Sequence, residues 1–182
     1  SNIKKNLILE NSFIRYEFDV KGRMKSCFDK ELNYEFLYDN GNILSLYEDI
    51  PNNWDAWDID FFYRDAILET ARIDNVISGM ECDFYQDLTF KFKIGNSIIT
   101  QIVSLSIHSK RLDFSTNVIW NEKHKMLRVH FPLNIKSDQA SFDIQYGYVK
   151  RNTHQNTSWD KAKFEVVGHK YADLSDHDSG VA

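Results

Sequence analysis

Leu88-Thr-Phe-Lys-Phe-Lys-Ile94 is followed by Gly95-Asn96 and then by Ser97-Ile-Ile-Thr-Gln-Ile-Val-Ser-Leu-Ser-Ile107. The reading of this stretch decides the fold. Leu88, Phe90, Phe92 and Ile94 alternate with Thr89, Lys91 and Lys93, the period-2 pattern of a half-buried strand. Gly95-Asn96 is a turn signal, and Ile99, Val103, Leu105 and Ile107 return on the apolar side. Working outward, Leu112, Phe114, Thr116, Val118 and Trp120 form the next strand, and Leu127, Val129, Phe131 and Leu133 the one after. From Arg72 to Leu133 the chain reads as β throughout.

Towards the N-terminus, Ile14, Tyr16, Phe18 and Val20 alternate with Arg15, Glu17 and Asp19. Lys21-Gly22 turns that strand, and residues 24–28 return as a hairpin. A short segment follows at Tyr34 to Leu37, with a turn signal at Asp39-Asn-Gly41, and Leu44 and Leu46 begin another strand. Residues 49–65 break the rhythm: Pro51 and an Asn pair end the strand, Trp54 and Trp57 sit among Asp residues, and one helical turn is expected near residues 60–68. No window carries a helical apolar pattern of useful length. The fold class is therefore all-β, an antiparallel sandwich; periodicity alone does not choose among sandwich types.

Composition narrows the function. The chain has 182 residues, 42% hydrophobic and 14% aromatic, enough for one sizeable core, so residues 1–182 read as a single β-sandwich domain. A formal net charge of −5, with basic residues scattered, argues against nucleic acid and anionic membranes as partners. No apolar run approaches the roughly 20 residues of a membrane span. Cys27 and Cys82 are not a disulfide framework; they read as two thiols in a reducing compartment, with a single bridge as the alternative, and a cytoplasmic setting is expected.

The polar stretch near the end supplies the candidate site. A strand is expected to leave the sheet at Gly147, a polar loop to carry Trp159, and a strand to return around Phe164 and Val166. A Trp flanked by Asn, Ser and Asp suits a sugar, whose C–H face stacks on a ring while its hydroxyls meet polar groups. Gln145, Tyr146, Asn156, Trp159 and Asp160 are the candidate substrate-binding residues. The structural alternative has Trp159 anchoring the loop in the core and Asn156 and Asp160 satisfying backbone groups. Asp55, Asp58 and Asp60 can be read as paired carboxylates or cation ligands, or as turn caps above packed Trp rings. His169, Asp173, Asp176, His177 and Asp178 match no metal-site spacing and read as a hydrogen-bonded network. His108, His124, His130 and His154 stand alone, as surface or satisfied core residues.

Asn156-Thr-Ser-Trp-Asp160, Phe164-Glu-Val and His169-Lys-Tyr-Ala-Asp-Leu-Ser175 resemble the β-domain of α-mannosidases of glycoside hydrolase family 38, in its cytosolic and bacterial branch. Asn53-Trp-Asp-Ala-Trp-Asp58, Gly95-Asn-Ser-Ile-Ile-Thr-Gln101, Lys110-Arg-Leu-Asp-Phe114 and His124-Lys-Met-Leu127 match in the same order. The resemblance implies the large two-sheet supersandwich shared with galactose mutarotase-like domains. It also implies a parent that removes terminal α-linked mannose from oligosaccharides with retention, using a carboxyl pair roughly 5 Å apart and a divalent metal, usually zinc.

In that family the nucleophile, the acid and the His-x-Asp metal pair lie in an N-terminal barrel, and a further His ligand in the helical region after it. No catalytic residue and no metal ligand is carried over to this segment, which is expected to be inactive alone. Its expected roles are to brace the barrel and helical domain of the same chain, close one wall of the cleft and support homo-oligomer contacts. Asp178-Ser-Gly180-Val-Ala182 reads as a turn into a new strand, so a fragment of a longer multidomain chain is expected. The rival is a stand-alone carbohydrate-binding or structural β-module without hydrolase activity.

Overall fold

The computed structural model describes residues 7–55 and 57–182, apart from the side chains of 77, 78, 80 and 81. The chain separates into two compact units, 1–133 and 134–182. The all-β, antiparallel expectation holds in both.

The first unit begins with β1 (Leu7–Glu10), β2 (Ile14–Phe18), β3 (Met24–Asp29) and the two-residue β4 (Tyr34–Glu35), which form one sheet in that order. β5 (Ile43–Glu48) follows, then a 3-10 turn at Phe61–Asp65 where one helical turn is expected from the sequence, and β6 (Ile67–Thr70). β7 (Arg72–Glu81), β8 (Tyr85–Ile94), β9 (Ser97–Ser106) and β10 (Leu112–Ile119) form a four-stranded meander. β11 (Lys125–His130) returns to pair with β5, giving a third sheet ordered β11-β5-β6.

The alternation decides what is buried. Leu88, Phe90, Phe92 and Ile94 of β8 are buried, as are Ile99, Val103 and Leu105 of β9. The intervening Lys91 and Lys93 face solvent. Leu7, Leu9, Ile14, Tyr16 and Phe18 join them in one core cluster, together with Leu44 and Leu46 of β5. Phe18 and Phe90 bring their ring centroids to 5.4 Å, so the first sheet packs on the meander as in a sandwich. Val20, placed by the pattern on the buried side, is exposed. It lies beyond the end of β2, in a turn where Asp19 Oδ1 accepts from the backbone N–H groups of Lys21 and Arg23.

Two glycines are required by geometry. Gly22 has φ +74°, and a Cβ there would lie 2.7 Å from the Phe92 ring. Gly95, at φ +55°, would put a Cβ 2.5 Å from Glu122 Oε1. Glu122 is the clamp of the β8–β9 turn: its carboxylate accepts from Asn96 N–H, from Ser97 Oγ and from Lys125 Nζ. The Lys125 ammonium and the Asn96 amide hold that carboxyl below its usual range. Asn42 and Gln101 are a second buried polar pair: Asn42 Nδ2 donates to Gly22 O at 3.1 Å and to Gln101 Oε1 at 2.7 Å. They border a largely apolar cavity of about 300 Å³ walled by Leu44, Phe114, Leu127 and Phe131.

The second unit is a sheet ordered β13-β12-β14-β15, from β12 (Gln139–Ile144), β13 (Gly147–Asn152), β14 (Ala172–Ser175) and β15 (Gly180–Val181). One short helix, α1 (Ser158–Ala162), sits in the connection between β13 and β14. Among the described residues no helix is long and apolar enough to cross a membrane.

Candidate functional site

Gln145 and Tyr146 are the tip of the β12–β13 hairpin. The two strands pair over their whole length, from Ile144 opposite Gly147 to Gln139 opposite Asn152. The expectation that the chain leaves the sheet at Gly147 is therefore corrected: Gly147 begins a paired strand. Tyr146, at φ +63°, takes the left-handed turn conformation, and its side chain is fully exposed.

The expected return strand at Phe164 and Val166 is also absent; no strand covers those residues. The strand that does return is β14, with Asp173 opposite Ser141. The cause lies just upstream, in Thr157-x-x-Asp160. Thr157 Oγ1 accepts from Asp160 N–H at 3.1 Å, and the Asp160 carboxylate accepts from Thr157 N–H at 3.2 Å. This reciprocal capping box satisfies free N–H groups at a helix start and so favours α1 where a polar loop was expected.

Asp160 is the hub of that end of the unit. Thr157 Oγ1 donates to its Oδ2 at 2.7 Å, Asn152 Nδ2 donates to its Oδ1 at 3.2 Å, and His154 Nδ1 lies 3.6 Å from Oδ2. The Thr157 hydroxyl first, then the Asn152 amide, hold the Asp160 carboxyl below its usual range. Asp160 thus does what the structural alternative assigned to it. Trp159 does not: it is 79% exposed on α1, so it does not anchor the loop in a core. Asn156 is exposed just before the cap.

The five sequence-predicted residues therefore fall into two groups. Asn156, Trp159 and Asp160 share the loop after β13, whereas Gln145 and Tyr146 precede it. At about 3.4 Å per residue, the length of β13 puts the two groups about 17 Å apart.

Between them lies a face that the sequence reading passed over. Ser141 is opposite Lys150 on one side and Asp173 on the other. Tyr148, opposite Asp143, is on the same face, and Tyr171, just before β14, borders the same cavity. Ser141, Tyr148, Lys150, Tyr171 and Asp173, with Ala182, line a cavity of about 280 Å³. The signal was available in the alternation of Tyr148 and Lys150 with Val149 and Arg151, but the pairing partner was not.

The other candidates resolve simply. In the Asp-rich loop, Asp60 Oδ2 accepts from Asn52 N–H at 3.0 Å and Asp58 Oδ1 from Ile59 N–H at 3.0 Å, so these two carboxylates support turns. Trp54 and Trp57 are 74% and 89% exposed, which corrects the expectation that they pack beneath it. Asp176 Oδ1 accepts from the N–H groups of Asp178 and Ser179, and His177 Nδ1 lies 2.9 Å from Asp178 Oδ1. That cluster is a hydrogen-bonded turn. His130 Nε2 lies 3.0 Å from the Tyr47 hydroxyl. Both cysteines are free thiols.

Zinc, the metal implied by the resemblance, needs three or four converging ligand side chains. Asp160 accepts from Thr157 and Asn152, and His177 Nδ1 lies against Asp178. Among the described residues no three His, Cys, Asp or Glu side chains converge. The described donor set does not fit a tightly held divalent cation.

The chain is 40% identical over 186 residues to "Alpha-mannosidase G" of Dictyostelium discoideum and 37% identical over 185 residues to "Alpha-mannosidase 2C1" of Homo sapiens. Each alignment covers 97% of this chain and 17% of the relative. "Alpha-mannosidase" of Saccharomyces cerevisiae (strain ATCC 204508 / S288c) is 34% identical over 178 residues, covering 88% of this chain and 16% of that protein. The chain thus spans about a sixth of the curated relatives it matches. The crystal structure of an α-mannosidase from Enterococcus faecalis V583 superposes with a TM-score of 0.76 at 16% identity, over 95% of this chain and 22% of that one. It shows that the fold is shared. The family described as "Glycosyl hydrolases family 38 C-terminal domain" matches residues 9–182, and to that family the chain belongs.

Proposed function

We propose that this chain is the non-catalytic β-domain of a longer α-mannosidase. That parent hydrolyses terminal α-linked mannose from oligosaccharides with retention, using two carboxyl groups and a divalent metal, zinc, held outside this segment. The segment braces the catalytic barrel and helical domain, lines part of the cleft and supports homo-oligomer contacts. The observation that carries this is the match of 97% of the chain to proteins named as α-mannosidases. A cytoplasmic setting agrees with the two free thiols.

Within this reading Trp159 offers its ring to a sugar face, and Asn156 and Asp160 complete that end. Gln145 and Tyr146 contact a different part of an extended glycan, as their separation along β13 requires. Support comes from the exposure of Trp159 and Tyr146 and from the cap that holds the helix carrying Trp159.

The test is to express the longest natural reading frame that contains these residues and assay it with 4-nitrophenyl α-mannoside, following the product anomer by NMR. Hydrolysis with retention is expected, with Trp159→Ala raising KM on an oligosaccharide more than on the aryl mannoside. A frame that encodes no hydrolase, or a protein that leaves α-mannosides intact, would replace this reading with the stand-alone sugar-binding module.

A further inference from the structure

The polar face of β13-β12-β14 is, we propose, a binding site for one neutral sugar ring, separate from Gln145, Tyr146, Asn156, Trp159 and Asp160. It rests on the α-mannosidase reading only for the choice of probe.

Register makes the first part of the case. Ser141 faces Lys150 across one strand pair and Asp173 across the other, so a cation, a hydroxyl and a carboxylate stand in one row. Neighbouring strands are about 4.8 Å apart, which puts the Lys150 and Asp173 backbones about 10 Å from each other. Among the described residues no ion pair within 4 Å joins them. The Asp173 carboxylate accepts from the Ser175 hydroxyl at 3.0 Å, which leaves acceptor capacity on its two oxygens. A donor and an acceptor of opposite charge, separated across a hydroxyl, match a vicinal diol. One ligand oxygen accepts from Lys150 Nζ, and the next ligand hydroxyl donates to Asp173.

The walls make the second part. Tyr148 and Tyr171 are 61% and 45% exposed, and both border the cavity with the polar row. Tyrosine presents an apolar ring face for sugar C–H groups and a hydroxyl at its rim. The volume, about 280 Å³, lies just below the range for drug-sized ligands and suits one ring. Lys150 and Asp173 cancel in charge, which favours a neutral ligand over a phosphate or a uronic acid.

The experiment is a ¹H–¹⁵N NMR titration of the 182-residue chain with methyl α-D-mannopyranoside. Saturable shifts confined to β12, β13 and β14 are expected, with Kd in the millimolar range. Tyr148→Ala and Asp173→Asn are each expected to weaken binding about tenfold or more, a loss of about 1.4 kcal/mol. Lys150→Gln, at an exposed position, gives the same readout should Asp173→Asn disturb β14. Tyr38→Ala, exposed in the first unit, is expected to bind as the unaltered chain does. A flat titration overturns the proposal, and so do shifts that the three variants leave unchanged. Tighter binding of methyl glucuronoside than of the mannoside overturns the ligand class. Sugar binding in a longer protein without hydrolase activity would break the function proposed above and leave this site standing.

Discussion

The two units of the chain use the same ladders and opposite logic. In the first, Phe90, Ile94, Ile99 and Val103 are wholly excluded from solvent, and the polar groups that enter the interior are paired, as Glu122 is with Asn96, Ser97 and Lys125. In the second, Ile135 alone among the described residues joins the buried hydrophobic set. Its order comes from ladder bonds, the Thr157–Asp160 capping box and the Asp176 turn. Burial gives the first unit a scaffold at about 25 cal/mol per Å² of apolar surface. The second leaves Tyr146, Tyr148, Trp159 and Tyr171 at the surface, as the first leaves Trp54, Trp57 and Phe62. The difference lies in the interior: the first unit rests on a buried apolar core, the second on ladder and turn bonds.

The sharpest way to break this contrast is Phe90→Ala. Removing a fully buried ring is expected to cost about 3–5 kcal/mol, read as a lower urea midpoint in tryptophan fluorescence. A loss below about 1 kcal/mol would mean that the core cluster does not hold the first unit.

Alkaline pH probes the same interior through a different group. Burial pushes the Cys27 thiol from 9.0 up to about 12, and the phenol of neighbouring Tyr16 is also driven upward by burial. A raised folded-state value means that the folded chain holds the proton more tightly than the unfolded one. This stabilisation is complete below about pH 9 and is lost as pH rises towards about 12. Urea unfolding repeated across that window is expected to show falling stability, part of which Cys27→Ala removes. Each tenfold change in the acidity constant corresponds to about 1.4 kcal/mol. In the folded chain at neutral pH, maleimide is expected to label the exposed Cys82 and spare Cys27; equal labelling would contradict the burial.

The smallest effect sharpens the comparison from the other side. Thr157→Ala removes the cap of α1 and is expected to cost about 1 kcal/mol, confined to the second unit. The Trp159 indole signal should shift in NMR while the urea midpoint of the first unit stays in place. Movement of that midpoint by a comparable amount would show that the two units are energetically coupled.

Legibility in the sequence followed the same division. The strands around residues 88–107 were readable because Leu88, Phe90, Phe92 and Ile94 serve a core whose period matches their spacing. The turn at Gly95-Asn96 was readable because only glycine accepts a positive φ there against Glu122. In the loop after Asn152, Phe164 and Val166 read as a strand by their apolar spacing, whereas Thr157-x-x-Asp160 starts a helix. Trp54 and Trp57 read as packed beneath their loop, and Trp159 read either as displayed to a sugar or as anchored in the core, on the general tendency of large rings to be packed. Each proved exposed, because the short elements that carry them offer too little apolar surface to cover an indole.

What the sequence determined by itself is what depends on near neighbours: strand periodicity, the glycine turns and the ordered blocks shared with the glycoside hydrolase family 38 C-terminal domain. These are written in residues a few positions apart. What only the tertiary structure decided is company across the sheet. Lys150 and Asp173 stand 23 positions apart in the sequence, yet register places them on either side of Ser141. Gln145 and Asn156 are near in sequence but lie towards opposite ends of β13. Strand pairing couples residues through backbone hydrogen bonds, and a shift of one residue sends a side chain to the other face. That choice belongs to the folded sheet.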